Sequence, residues 1–134
     1  MPLLADNPPM ATVRVVVADD DRDTVRTLTA LLREEGYDVR PAYCGTDVLR
    51  EVLDFDADAV LLDIALPELP GYIVARQIRE YCGNTRPLLI GISGRYKESG
   101  DKAFAEVIGI DHYLVKPYDP AWVMALLAPL KAAA

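Results

Sequence analysis

The chain has 134 residues, of which 51% are hydrophobic and 26% charged, and it carries a formal net charge of −7. That is enough for one domain with its own core, and no apolar run approaches the ~20 residues of a membrane span. The clustered Lys and Arg that a phosphate backbone would attract are missing, so neither a membrane nor a nucleic acid is expected as a direct partner.

The N-terminal "MPLLADNPPM" has no basic region followed by an apolar stretch, so it does not read as a signal peptide. Residues 1–11 are expected as a disordered leader, residues 12–131 as the domain, and residues 132–134 as a tail. Cys44 and Cys82 match no metal or redox spacing, which suits a reducing, cytoplasmic setting.

Apolar runs alternate with helix-period segments. The runs are "TVRVVVA" (12–18), "DVRPAY" (38–43), "DAVLLDI" (58–64), "RPLLIGIS" (86–93) and "DHYLVKP" (111–117). Nearly continuous Val, Leu and Ile predicts strands covered on both faces. After the first run, Val25, Leu28, Leu31 and Leu32 recur at helical spacing, and Gly36 suits the position just past a helix end. Val48, Leu49, Val52 and Leu53 make a second stripe. Ile73, Val74, Gln77, Ile78 and Tyr81 make a third, opening after Pro70-Gly71. Ala103, Phe104, Val107 and Ile108 keep the period of a fourth helix, although Gly100 weakens it, and Gly109 ends it. The last helix opens with Asp119 as N-cap and Pro120 at its first position. Trp122, Val123, Leu126, Leu127 and Leu130 are expected to form its core-facing stripe.

Five βα units imply an α/β fold: a single-domain, doubly wound (βα)5 arrangement around a five-stranded parallel sheet. Ligands of such sheets bind at the carboxyl ends of the strands. There the sequence places Asp19, Asp20 and Asp21 after the first run, Asp63 after the third, Ser93 after the fourth and Lys116 after the fifth. Clustered carboxylates repel one another and force some to take up protons. A hard divalent cation with oxygen ligands, such as Mg²⁺, resolves the conflict. One carboxylate can then attack a phosphoryl group, while a lysine and a hydroxyl hold the phosphoryl oxygens.

These residues carry a resemblance. "VVVADDD", "LLDIALPELPG", "IGISG" and "YLVKP" stand in order, with 43 residues from Asp20 to Asp63, 30 from there to Ser93 and 23 more to Lys116. Over about residues 12–131 the chain resembles the receiver domain of two-component response regulators. The resemblance implies the flavodoxin-like strand order 2-1-3-4-5 and a Mg²⁺-dependent transfer of a phosphoryl group onto Asp63, with Mn²⁺ an alternative ion. By the same resemblance Asp20 ligates the metal directly and Asp19 helps through its waters, with Asp63 and the backbone carbonyl of Ala65 completing the protein's share. Ser93 is implied to move toward the phosphoryl group, the ring of Tyr113 to turn inward in response, and Lys116 to pair with a phosphoryl oxygen. The Lys116–Pro117 peptide is implied to be cis. The implied partners are a histidine kinase or histidine phosphotransfer protein, an unknown output domain or downstream protein, and a second copy in a phosphorylation-linked dimer. Such a chain catalyses its own phosphorylation and dephosphorylation without being a conventional enzyme. Its switching surface would surround the fourth helix, fifth strand and fifth helix.

The chain departs from the family pattern at Pro70, where a small acidic or polar residue is commoner, and at Ser93, where threonine is commoner. Ala65 and Gly94 are both small, which is expected to admit water to Asp63 and shorten the life of the acyl phosphate. Plainer readings exist for single residues. Asp63 alone could cap the following helix, Ser93 could be a turn residue, Lys116 a surface lysine, Tyr113 a packing aromatic, and His112 a surface residue. "DDDRDT" fails as an EF-hand because the sixth and twelfth loop positions are Thr24 and Ala30. "DRDTV" resembles the D-x-D-x-T signature of haloacid-dehalogenase phosphatases, which leaves an aspartate-based phosphatase using Asp21 as a rival. A degenerate receiver that only binds partners is the third reading. Asp21 and Asp23 are otherwise expected to cap and charge the first turn of the following helix.

Overall fold

The computed structural model describes residues 12–94 and 108–133. Five strands, β1 (Arg14–Ala18), β2 (Asp38–Ala42), β3 (Ala59–Asp63), β4 (Leu88–Ser93) and β5 (His112–Val115), form one parallel sheet in the order β2-β1-β3-β4-β5. The helices among the described residues are α1 (Arg22–Glu34), α2 (Gly45–Phe55), α3 (Gly71–Cys82) and α4 (Pro120–Ala133). The helix expected before Gly109 falls mostly on residues outside those described, as does the expected leader.

Alternation along the strands sorts the core into two layers. Val16, Ala18, Val60, Leu62 and Leu89 pack against Val48 and Val52 of α2 and Val74, Ala75 and Ile78 of α3. Val15, Val17, Leu61, Ile90 and Ile92 face the other way, toward Val25, Leu28 and Leu32 of α1 and Val123 and Leu127 of α4. Coverage on both faces holds for β1, β3 and β4. The edge strand β2 instead exposes Arg40 and Pro41, and a proline suits an edge because it has no N–H to leave unpaired.

Local chemistry ends the elements where the sequence reading puts the ends. Asp21 caps α1 by accepting from the N–H of Asp23, and its other oxygen takes the Thr24 hydroxyl. Beyond α1, Gly36 adopts φ +92°, with its N–H on Arg33 O and that of Tyr37 on Leu32 O. Asp119 caps α4 through the N–H of Ala121.

Two expectations need correcting. Trp122 is 61% exposed, because the buried stripe of α4 centres on Val123 and Leu127, leaving Leu126 and Leu130 half-buried at its edge. Tyr81, at the end of α3, is 71% exposed. Helix α4 runs through Ala133.

The sheet's other end is held by a residue that periodicity does not reveal. Arg79 is buried, and it donates to the carbonyls of Gly109, Gly83 and Pro87 and to the Asp111 carboxylate at 2.9 Å. The same Asp111 oxygen accepts from Leu89 N–H, so this one side chain ties α3 to the starts of β4 and β5. Nearby Arg86 pairs with Asp56 and Asp58, but these groups are solvated. Removing Arg79 takes the donor from four acceptors at once, the Pro87 carbonyl among them buried, whereas removing Arg86 returns solvated carboxylates to water. In urea unfolding, Arg79→Ala is expected to lose about 3 kcal/mol and Arg86→Ala under about 1 kcal/mol.

Candidate functional site

Strand register assembles the site. Ala18 pairs with Leu62, so Asp19 and Asp63 leave β1 and β3 side by side. Asp63 pairs with Ile92, one residue before Ser93, and Ser93 pairs with Val115, one residue before Lys116. Apolar strands thereby carry two acids, a hydroxyl and an amine to one rim.

Asp19 and Asp63 are each only 4% exposed, whereas Asp20 stands in solvent. Carboxylate oxygens from all three lie within 4.8 Å of one another. The Lys116 ammonium bridges the buried pair, 3.1 Å from Asp63 Oδ2 and 3.3 Å from Asp19 Oδ2. Each buried carboxylate uses its other oxygen on a backbone N–H, Asp19 on that of Asp21 at 2.9 Å and Asp63 on that of Ala65 at 3.0 Å. Asp63 is therefore not the cap of α3, whose N-cap position is Pro70, with no side-chain bond.

Burial pushes the Asp19 carboxyl above its ordinary value, and the charge of Asp63 adds to the rise against the opposing pull of Asp21 N–H and Lys116. Burial would lower Lys116, but hydrogen bonding and attraction to Asp63 and Asp19 outweigh it and hold the amine above its usual range. The acids thus keep a charged lysine between them.

Two close approaches fix the loop after Asp63. A Cβ on Gly71 would lie 2.7 Å from Ile64 Cα and 2.9 Å from Asp63 O, and one on Gly45 would lie 2.0 Å from Leu69 O. Glycine at both positions lets the starts of α3 and α2 close on this loop, with Gly71 N–H on Ile64 O and Gly45 N–H on Pro67 O.

The site thus joins Asp19, Asp20, Asp63 and Lys116 directly. Ser93 is half-buried on the adjacent strand end, where its carbonyl accepts from Lys116 N–H at 2.7 Å. Ala65 is exposed beside Asp63, and the Lys116–Pro117 peptide is cis. Tyr113 is half-buried on β5, with its hydroxyl 3.4 Å from that of Tyr72. His112 is exposed. Asp21, which the phosphatase reading needs as nucleophile, is exposed and spends both oxygens capping α1. Sequence reasoning missed Tyr72 and Tyr118. Tyr118 lines an open cleft of about 490 Å³ with Asp21, Thr24, Leu28, Lys116 and Pro117. Its phenol is raised by burial, then by the charge of Asp19. Its place just after "KP" was the available signal.

Three hard oxygen donors around one point, against a single cation among the described residues, leave excess negative charge that a divalent ion suits. A carboxylate flanked by an amine and such an ion can accept a phosphoryl group.

The family model for the response regulator receiver domain matches residues 15–128. The aerobic respiration control protein ArcA of Escherichia coli strain K12 is 33% identical over 111 residues, covering 83% of this chain and 45% of that protein. The response regulator ArlR of Staphylococcus saprophyticus is 33% identical over 119 residues, covering 89% and 51%. The chain spans about half the length of these curated relatives. Among solved structures, a CheY-like receiver domain protein from Methanospirillum hungatei JF-1 matches in fold with a TM-score of 0.81 at 23% identity, covering 89% of this chain and 93% of that one. The Francisella response regulator 1452 receiver domain does so at 0.81 and 24%, covering 92% and 100%. The strand order, the matched motifs and these relatives agree: the chain belongs to the response regulator receiver domain family of two-component systems.

Proposed function

We propose that Asp63 is the phospho-acceptor of this receiver domain, charged by a phosphohistidine on a histidine kinase or histidine phosphotransfer protein. One observation carries the reading: a buried carboxylate at a strand end is bound by Lys116 and lies within 4.8 Å of two further carboxylates. An Asp63 oxygen attacks phosphorus, the P–O bond forms as the P–N bond breaks, and the imidazole leaves with the electron pair and takes up a proton. Lys116 exchanges its contact with a carboxylate for one with a phosphoryl oxygen, meeting charge as it spreads over the transferred group. Water attacking the acyl phosphate reverses the state. The chain thus catalyses its own phosphorylation and dephosphorylation and turns over no separate substrate.

Asp19, Asp20 and Asp63, with the carbonyl of Ala65, would hold Mg²⁺ or Mn²⁺. When bound, the ion would supply positive charge that offsets the acids and the incoming phosphoryl group. Ser93 would follow the phosphoryl group and Tyr113 would report it, shifting the population of a partner-binding surface on β5 and α4. The helix expected ahead of β5 lies outside the described residues. The partner downstream is an output domain or a separate protein, and a phosphorylation-linked dimer fits the same surface. No helix among the described residues is long and apolar enough to cross a membrane. Membership of the receiver family supports placing the chain in the cytoplasm. The degenerate reading is disfavoured because acceptor, acids and lysine are all in place.

With acetyl phosphate and Mg²⁺, intact mass analysis is expected to show one phosphoryl adduct, absent in Asp63→Asn and suppressed by a chelator. Turnover of a phosphate ester that depends on Asp21 would support the phosphatase instead. Ala65 is exposed beside the acceptor. A larger residue there, as in Ala65→Met, should shield the acyl phosphate from water. Its half-life is expected to lengthen about 3- to 10-fold, roughly 1 kcal/mol in the barrier to hydrolysis. Unchanged decay would remove the idea that small residues set the lifetime.

A further inference from the structure

We propose that Tyr72 is a positioning residue for the switch, its hydroxyl latching the Tyr113 ring in the inward position. The inference rests on the reading of Tyr113 as the switch aromatic and adds a second connection between that ring and the acceptor loop. The two hydroxyls are 3.4 Å apart in a half-buried setting, and Tyr72 is the polar partner of the Tyr113 hydroxyl among the described residues. Across the sheet Tyr113 pairs with Gly91, so β4 offers no side chain beside the ring. Ile110 and Ile64 close over that gap, since a Cβ on Gly91 would stand 3.2 Å from Ile110 and 3.4 Å from Ile64. Both rings pack against the same core layer. Among the described residues both rings pack on apolar side chains, and the hydroxyl pair gives the inward ring position a directed bond.

Tyr72 is itself tied to the acceptor. It follows Gly71, whose N–H donates to Ile64 O at 2.9 Å and whose missing Cβ lets α3 rest on the Asp63–Ile64 backbone. A shift of that backbone therefore carries the first turn of α3 with it, and Tyr72 passes the shift to Tyr113 without using Ser93. A contact that favours the inward ring also favours any ligand that selects it, by at most the same factor. A neutral hydrogen bond exchanged with water biases such an equilibrium about two- to fivefold.

The test uses the full chain with ¹³C-labelled tyrosine rings, assigning Tyr113 by its loss in Tyr113→Phe. Without ligand, Tyr72→Phe is expected to move the Tyr113 signal toward its solvent-exposed position. With Mg²⁺ and beryllofluoride as the probe, the half-saturating concentration should rise, by at most about fivefold, and this rise should vanish in the Tyr113→Phe background. A merely structural role for Tyr72 would act equally in both backgrounds. An unmoved ring signal, or an equal rise without the Tyr113 hydroxyl, overturns the latch. If the wild-type chain takes up no beryllofluoride, the assignment of Asp63 fails, while the ligand-free ring signal still decides whether Tyr72 holds Tyr113.

Discussion

Two like charges buried side by side set the terms for this molecule. Asp19 follows β1 and Asp63 ends the adjacent β3, both strands buried beyond Arg14, so the register that buries the valines of β1 also forces the carboxylates together away from solvent. Burying an uncompensated charge is costly, and a pair of them costs more. One cation offsets the pair, and it comes from the far edge strand, 97 residues beyond Asp19. The order β2-β1-β3-β4-β5 is what lets that lysine reach the acids, because β4 and β5 step the rim outward from β3.

The acid run after β1 divides by position. Asp19 faces inward to the lysine, Asp20 stands in solvent within reach of the other two carboxylates, and Asp21 turns away to cap α1. Three consecutive identical residues therefore meet a half-buried cation, an open rim and a helix terminus. The incomplete neutralisation at the rim is the chemically useful part. Full pairing would leave no reason to bind a divalent ion, and none at all would leave the buried acids unsupported.

Much of this was legible in the sequence, for physical reasons. Short runs rich in Val, Leu and Ile, alternating with helix-period segments, read as buried parallel strands, and the residues just past each run then share a rim. Asp119, Asp21 and Gly36 declared their helix ends through chemistry that works locally. What was hidden depended on contacts between distant segments. Arg79 reads as a surface arginine until the carbonyls of Gly83, Pro87 and Gly109 are placed around it. Trp122 was misplaced because α4 is apolar on nearly every side, so the pattern could not say whether the buried stripe centred on Val123 or one residue earlier. Tyr72 carried no signal, since its partner lies 41 residues away on another element.

The central claim is that the buried, lysine-bridged carboxylate of Asp63 is where the phosphoryl group goes. Hydride reduction of the phosphorylated chain converts an aspartyl phosphate to homoserine and marks the residue permanently. Peptide mapping after reaction with acetyl phosphate and Mg²⁺ should find homoserine at position 63 alone. Homoserine at position 19, 20 or 21 instead, or none at any aspartate under conditions where phosphoryl transfer is observed, would contradict the account.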